Sequence, residues 1–207
     1  MARYTGPVCR LCRRVGDKLM LKGDKCLNNC IFEKKPKSPG QQTASRRRIS
    51  DRGIQLKEKQ KARYTYGMLE KQFRRFFAKA ERQPGITGDN LLVLLEKRMD
   101  NVVYRLGFGD SRTQARQLVK HGHIMLNGRK TDIPSAMVKE GDTISWKQGS
   151  TESEYYKLLA QRIESVTVPG WLSLDKKKLV GQVVSTPTPD DVETKIDGKT
   201  IVEFYSR

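Results

Sequence analysis

At 207 residues the chain can bury a sizeable core and fits one or two domains. Its 41 basic residues against 23 acidic leave a net charge of +18, which points to a polyanionic partner. No apolar run approaches the roughly 18 residues that would span a bilayer, and the first sixteen residues lack the apolar stretch of a signal peptide, so a cytosolic chain is expected.

The charge is unevenly spread. Residues 1–50 hold 13 basic and 3 acidic residues, 51–110 hold 13 and 8, 111–150 hold 7 and 3, and 151–207 hold 8 and 9. An anionic membrane surface would also attract such a chain, but that binding mode needs a basic amphipathic helix with bulky apolar residues left over, and every such residue here is claimed by a core.

All four cysteines lie near the N-terminus, as Cys9-Arg-Leu-Cys12 and, after a gap of 13, Cys26-Leu-Asn-Asn-Cys30. Two close pairs suit tetrahedral thiolate coordination, and the surrounding Arg10, Arg13, Arg14 and Lys25 favour the thiolate form. Zinc is the expected ion. An iron–sulfur cluster remains the alternative, since spacing alone does not separate the two, while disulfides are disfavoured in the cytosol. Such a closed site is structural rather than catalytic.

From Phe32 to Arg52 there is little to bury, so an extended arm is expected, with Arg46, Arg47 and Arg48 as a phosphate clamp. Residues 54–83 have a helical period. Leu69, Phe73, Phe76, Phe77 and Ala80 form a core stripe, and Lys71, Arg74, Arg75, Lys79 and Arg82 fall on the remaining arc. Gln83-Pro84-Gly85 ends it. Asp89 then reads as the N-cap of one helix carrying Leu92, Leu95, Met99, Val102, Val103 and Leu106. Gly107-Phe-Gly109 terminates that helix; it lacks the preceding strand and third glycine of a dinucleotide loop.

Ser111 caps a helix whose buried stripe is Ala115, Leu118 and Val119. Arg112, Arg116 and Lys120 recur every four residues and form one row beside the stripe, placed to offer charged forks to successive phosphates. Gly122 suits a left-handed C-cap, His123 to Leu126 a short strand, and Asn127-Gly128 a hairpin turn followed by Arg129 and Lys130. His121 and His123 read as surface residues rather than metal ligands or a catalytic base. Asp142 to Trp146 is a further strand, 152–164 a helix, 185–191 a proline-rich connector, and Thr200 to Arg207 a tail apolar enough to dock.

These residues resemble a known family. ARYTGPVCRLCRR at the start, LLVLLEKRMDNVVYRLGF and SRTQARQLVKHGHIMLNGR in the middle, and IVEFYSR at the end are similar to bacterial-type small-subunit ribosomal protein S-four, in its four-cysteine knuckle variant. The resemblance implies direct binding of small-subunit (16S-type) ribosomal RNA at a helix junction of the 5′ domain. It also implies nucleation of assembly of the subunit body, contact with the fifth small-subunit protein at an interface that influences decoding accuracy, and a place beside the third protein at the messenger RNA entry channel. By position, Arg46, Arg47 and Arg48 correspond to the basic residues facing messenger; Gln42-Thr43-Ala44-Ser45 departs from the family's usual histidine-glycine-alanine-basic run.

The expected fold is α+β. A basic arm with the cysteine knuckle (1–45) precedes an all-helical domain (46–95), to which the resemblance returns the C-terminal helix at about 193–207. The second domain (96–192) carries a helix-turn-hairpin RNA-binding module, at about 97–160, on a small antiparallel sheet. The residues expected to meet RNA are Arg3, Arg10, Arg13, Arg14, the Arg46–Arg48 triplet, Lys71, Arg74 and Arg75. Within the module they are Arg112, Thr113, Arg116, Lys120, His121, Asn127, Arg129 and Lys130. Two other classes compete. A pseudouridine synthase carrying the same module would use Asp100, in a faint likeness of that enzyme's motif, but no catalytic domain surrounds it. A DNA-binding zinc-finger regulator is supported by cysteines and charge alone. A non-enzyme working in a bacterial cytoplasm or plastid stroma is expected, because no nucleophile, base and oxyanion site assembles.

Overall fold

The computed structural model describes residues 4–40, 49–192 and 195–206. The chain falls into two compact units, Met1–Leu92 with Val192–Arg207, and Val93–Asp191. Three short helices come first, α1 (Cys9–Val15), α2 (Asp24–Asn28) and α3 (Ile31–Lys34). Then come α4 (Asp51–Thr65), α5 (Glu70–Glu81), and α6 (Thr87–Glu96), along which the chain passes from one unit to the next. The second unit holds α7 (Met99–Arg105), α8 (Arg112–Lys120), β1 (Ile124–Leu126), β2 (Arg129–Lys130), β3 (Thr143–Trp146), α9 (Glu154–Arg162), β4 (Leu172–Asp175) and β5 (Val180–Val183). The chain then returns to the first unit as α10 (Gly198–Tyr205). Among the described residues, no helix is long and apolar enough to cross a membrane.

In the first unit the helical stretch expected over 54–83 is two helices. Gly67 takes φ +60°, and the N–H groups of Gly67 and Met68 donate back to Tyr64 and Arg63, closing the end of α4. Phe73, Phe77 and Ala80 of α5 are buried as expected, and Lys71, Arg74, Arg75, Lys79 and Arg82 face solvent. The tail docks on this core. Tyr205 packs against Phe77 and Phe73, with ring centroids 4.5 and 6.4 Å apart, and its hydroxyl donates to Glu70 Oε1 at 2.8 Å. Gln55 Nε2 donates to Glu203 Oε2 at 3.0 Å, which ties α10 to α4. The Asp197 carboxylate caps α10 through the N–H groups of Lys199 and Thr200. Here two backbones meet: a Cβ built on Gly88 would lie 2.8 Å from the Gly198 carbonyl carbon, so only glycine allows the start of α10 to sit this close.

The second unit is built on a five-stranded antiparallel sheet of order β2-β1-β3-β5-β4. Met99, Val102 and Val103 of α7 with its C-cap Leu106, Ala115 and Val119 of α8, and Ile144, Trp146 and Val183 of the sheet share one core. Each large side chain buried there contributes about 1.5–3 kcal/mol. Leu106 seats directly over Gly181 of β5, where an added Cβ would meet its Cδ1 at 2.4 Å. That glycine is why β5 was not foreseen: VGQV, following three lysines, carries a poor strand signature.

One continuous helix from Asp89 to Leu106 was expected, and the structure breaks it. Thr87 begins α6, so Asp89 lies in its first turn rather than capping it. Lys97 and Arg98 separate α6 from α7, with Arg98 in extended geometry. Neither glycine nor proline marks the break. The residues around it bond to a distant segment instead, Met99 N–H to Ala136 O at 2.8 Å, Asp100 N–H to Pro134 O at 3.0 Å and Val138 N–H to Lys97 O at 2.9 Å. Tertiary hydrogen bonds have overridden local helical preference.

Burial alone would push the Glu70 carboxyl up, but hydrogen bonds from Lys59 and Tyr205, with the charges of Lys59 and Arg63, outweigh it and hold the group below its ordinary value. A depressed carboxylate stabilises the fold at neutral pH, and the contribution is lost as pH falls through the folded-state value. Tyr205→Phe should therefore cost about 1 kcal/mol at pH 7, discounted for the partial exposure of Glu70. Urea titrations should show the gap to wild type narrowing below the ordinary value of 4.5. A gap independent of pH would mean that the hydroxyl does not act through Glu70.

Candidate nucleic-acid interface and thiol centre

The helix-hairpin stretch forms as its sequence dictates. Ser111 Oγ accepts from Gln114 N–H at 3.3 Å while Gln114 Oε1 accepts from Asp110 N–H at 2.8 Å, a reciprocal cap on α8. Gly122, at φ +71°, ends the helix. Asn127 and Gly128, at φ +51° and +73°, make the two-residue turn that pairs Leu126 with Arg129 and Met125 with Lys130. The Asn127 side chain is drawn inward: Nδ2 donates to Asp142 Oδ1 and Oδ1 accepts from Thr143 N–H, both at 2.8 Å, which locks the turn to β3. Thr113, Lys120, His121, Arg129 and Lys130 are exposed. His123 is half-buried, with Nδ1 3.0 Å from Ser150 Oγ.

The row of Arg112, Arg116 and Lys120 is not the open comb that helical spacing suggested. Arg112 is buried: its Nε donates to Asn101 Oδ1 at 2.8 Å, and its guanidinium carbon lies 4.4 Å from the centre of the Tyr104 ring. Arg116 Nη1 donates to Asp100 Oδ2 at 2.8 Å, with its side chain 13% exposed. The same Asp100 carboxylate is gripped from the other side by the fully buried Arg98, through Nε at 3.0 Å and Nη2 at 2.6 Å. Beside it, buried Glu96 accepts from Arg105 Nε at 3.0 Å and from Asn101 Nδ2 at 2.8 Å. Two arginines of the expected phosphate row are thus the pegs that hold α8 to α7, and Lys120 is its exposed member. The partners lie 11 and 16 residues upstream, where the periodicity of α8 could not register them.

Glu96, Asn101 and Arg105 carried no expectation from the sequence, although R-M-D-N inside an apolar helix is an unusual density of polar groups to bury. Arg98 and Asp100 entered only through the faint likeness of Lys97-Arg98-Met99-Asp100 to a catalytic motif. Clamped between two guanidinium groups, that carboxylate has no geometry for abstracting a proton from a substrate.

The two cysteine pairs, 13 residues apart in sequence, line one cavity of about 10 Å³ together with Lys18 and Lys22. None is in a disulfide. The backbone N–H of Lys22 donates to Cys26 Sγ at 3.3 Å. Burial raises the Cys12 thiol, and the neighbouring Cys26, Cys9 and Cys30 raise it further, against a backbone hydrogen bond from Leu19. The basic neighbours expected to lower it do not figure among these causes, and Arg10, Arg14 and Lys25 are exposed. Among the described residues no three donors stand in ready ligand geometry. The four reduced sulfurs share one small cavity but are not gathered as a ligand set in this structure.

The remaining expected contacts are dispersed. Arg10 and Arg14 are exposed on α1, and Arg13 Nε donates to Lys37 O at 2.7 Å. Lys71, Arg74 and Arg75 share the exposed face of α5. Arg3, Arg46, Arg47 and Arg48 lie outside the described residues.

Residues 3–96 match the family described as ribosomal protein S4/S9 N-terminal domain, and residues 97–144 match the S4 domain. The junction of the two matches falls at the α6–α7 break. Over the whole of both chains, the sequence is 58% identical to small ribosomal subunit protein uS4 of Dehalococcoides mccartyi. It is 53% identical, again over the whole of both chains, to the protein of the same name in Pelotomaculum thermopropionicum, and 54% to small ribosomal subunit protein uS4A of Symbiobacterium thermophilum.

Removing the shared carboxylate leaves two guanidinium groups without it in a buried setting. Asp100→Ala should cost about 3–5 kcal/mol in urea unfolding, whereas Lys120→Ala should stay within about 0.5 kcal/mol of wild type. Equal, small effects would show the network to be energetically idle.

Proposed function

The chain belongs to the S4 family of small-subunit ribosomal proteins, and on that premise we propose that it is a structural component of the small subunit which binds that subunit's ribosomal RNA directly and catalyses no reaction. The observation that carries this reading is the division of labour among the basic residues. Arg98, Arg112 and Arg116 are consumed in holding the module together, while Lys120, Arg129 and Lys130 are left facing solvent on a rigid helix and hairpin. Cations displayed on rigid elements without paired bases to read suit a phosphate backbone, with RNA shape supplying the specificity. The exposed basic face of α5 offers a further surface of the same kind.

The finer reading follows the resemblance. The RNA target is a helix junction of the 5′ domain of 16S-type RNA, and binding there nucleates assembly of the subunit body in the bacterial cytoplasm. The fifth small-subunit protein is the neighbour through which decoding accuracy is influenced, the third lies near the messenger entry, and the Arg46–Arg48 triplet faces incoming messenger RNA. Cys9, Cys12, Cys26 and Cys30 hold one zinc ion that ties α1, α2 and α3 together. What supports this is the shared cavity and the absence of disulfides among these cysteines. The pseudouridine synthase reading is not favoured, since Asp100 is committed to Arg98 and Arg116.

Two measurements test these assignments. In anisotropy titrations against a transcript of the 5′ domain, Arg129→Ala and Lys130→Ala should each lower the slope of log K against log salt by about one. Arg112→Ala should act chiefly by lowering the folded fraction, so that an unchanged slope for the hairpin variants would remove them from the interface. Elemental analysis of native protein should find one zinc per chain without labile sulfide. Chelation should reduce helical signal and protease resistance within residues 4–40; iron with sulfide would replace zinc by a cluster.

A further inference from the structure

Of the residues expected to meet RNA, a cleft in the first unit takes in Arg74 alone. Arg52, Lys59, Arg63, Arg74, Phe204 and Tyr205 line a cavity of about 570 Å³, with Glu70 its acidic residue. That carboxylate is already engaged, by Lys59 Nζ at 2.8 Å, by Arg63 Nε at 3.6 Å and by the Tyr205 hydroxyl. Lys59 is buried and spent on Glu70 and on the Phe204 ring, whose centre is 4.9 Å from its ammonium. Arg52 and Arg74 are exposed, and among the described residues no carboxylate pairs with either. The lining therefore carries four cations to one anion in a concave wall, which concentrates positive potential where a counter-charge is missing. A lone phosphate would leave most of this volume empty. The cleft is an open groove whose volume is in the range of a small organic ligand, and Phe204 supplies an aromatic wall beside the cations, the pairing that single nucleic-acid strands use.

We propose that this cleft seats one unstacked nucleotide of the bound RNA, with its phosphate between Arg52 and Arg74 and its base against Phe204. The inference rests on the RNA-binding reading and adds a site in the first unit, separate from the hairpin. A free nucleotide would present the same chemistry, so the test separates the two sources.

The full chain is titrated with the 5′-domain transcript across a salt series. Comparison is made between wild type, the Arg52→Gln/Arg74→Gln double variant, and Phe204→Leu, each checked for an unchanged thermal melt. The double variant should bind about tenfold more weakly, with a salt slope lower by about two. Phe204→Leu should weaken binding at least about fivefold with the slope unchanged. Normal binding with an unaltered slope in the double variant overturns the cleft site and leaves the RNA-binding reading intact, whereas failure of wild type to bind the transcript overturns both. Adenosine monophosphate alone should not perturb the Phe204 and Tyr205 ring resonances at millimolar concentration. Saturable shifts from it, with RNA affinity indifferent to the variants, would reassign the cleft to free nucleotide and overturn the RNA site.

Discussion

The carboxylate of Asp100, held between Arg98 and Arg116, fixes the arrangement on which the rest of the second unit depends. Arg98 can reach it because the chain leaves helical geometry between α6 and α7, and that break is held by backbone bonds to residues 134–138. Arg116 reaches it from α8, so the same oxygen atoms set how α8 lies against α7. The hairpin then follows α8 through Gly122. An apolar substitute could match such a network in stability, because burying charges is costly. What the ions add is a unique register: one carboxylate, two forks, and a single way for the helices to meet.

That register has an electrostatic consequence. A chain with an excess of 18 positive charges must place them somewhere, and here the arginines nearest the core are engaged by internal partners while the residues at the rim are displayed. Hydrogen bonds within the buried set keep their strength because water is excluded. The exposed set is salt-sensitive, as phosphate contacts are. The first unit uses a different device. Its tail is returned to α4 and α5 by an aromatic cluster, by Tyr205 on Glu70, and by a glycine-to-glycine contact at the start of α10. The cysteine segment, too small to build a core of its own, lines one small cavity with its four cysteines.

Much of the architecture was legible. The caps at Ser111 and Gly122, the Asn127-Gly128 turn, the aromatic stripe of α5 and the docking tail each follow from a residue whose local chemistry admits one reading. The failures share a cause. Arg112 and Arg116 look like a surface row because helical spacing reports only which residues share a face, and their partners Asn101 and Asp100 come from another helix. The break at Lys97–Arg98 has no local breaker, since its hydrogen bonds come from residues 134–138. β5 was hidden by Gly181, a residue that weakens a strand locally and is required globally for Leu106 to pack. In each case a long-range contact decided the outcome against, or in the absence of, a local signal.

If the arginines of α8 are internal pegs and the hairpin faces the RNA, nitrogen-resolved NMR of the arginine side chains, with and without the 5′-domain transcript, will separate the two sets. Arg98, Arg112 and Arg116 should give slowly exchanging N–H signals in the free chain, unmoved by RNA. The Arg129 signal should exchange rapidly until RNA shifts and protects it. Rapid exchange of Arg112 and Arg116 in the free chain, followed by large shifts on binding, would return the phosphate row to α8.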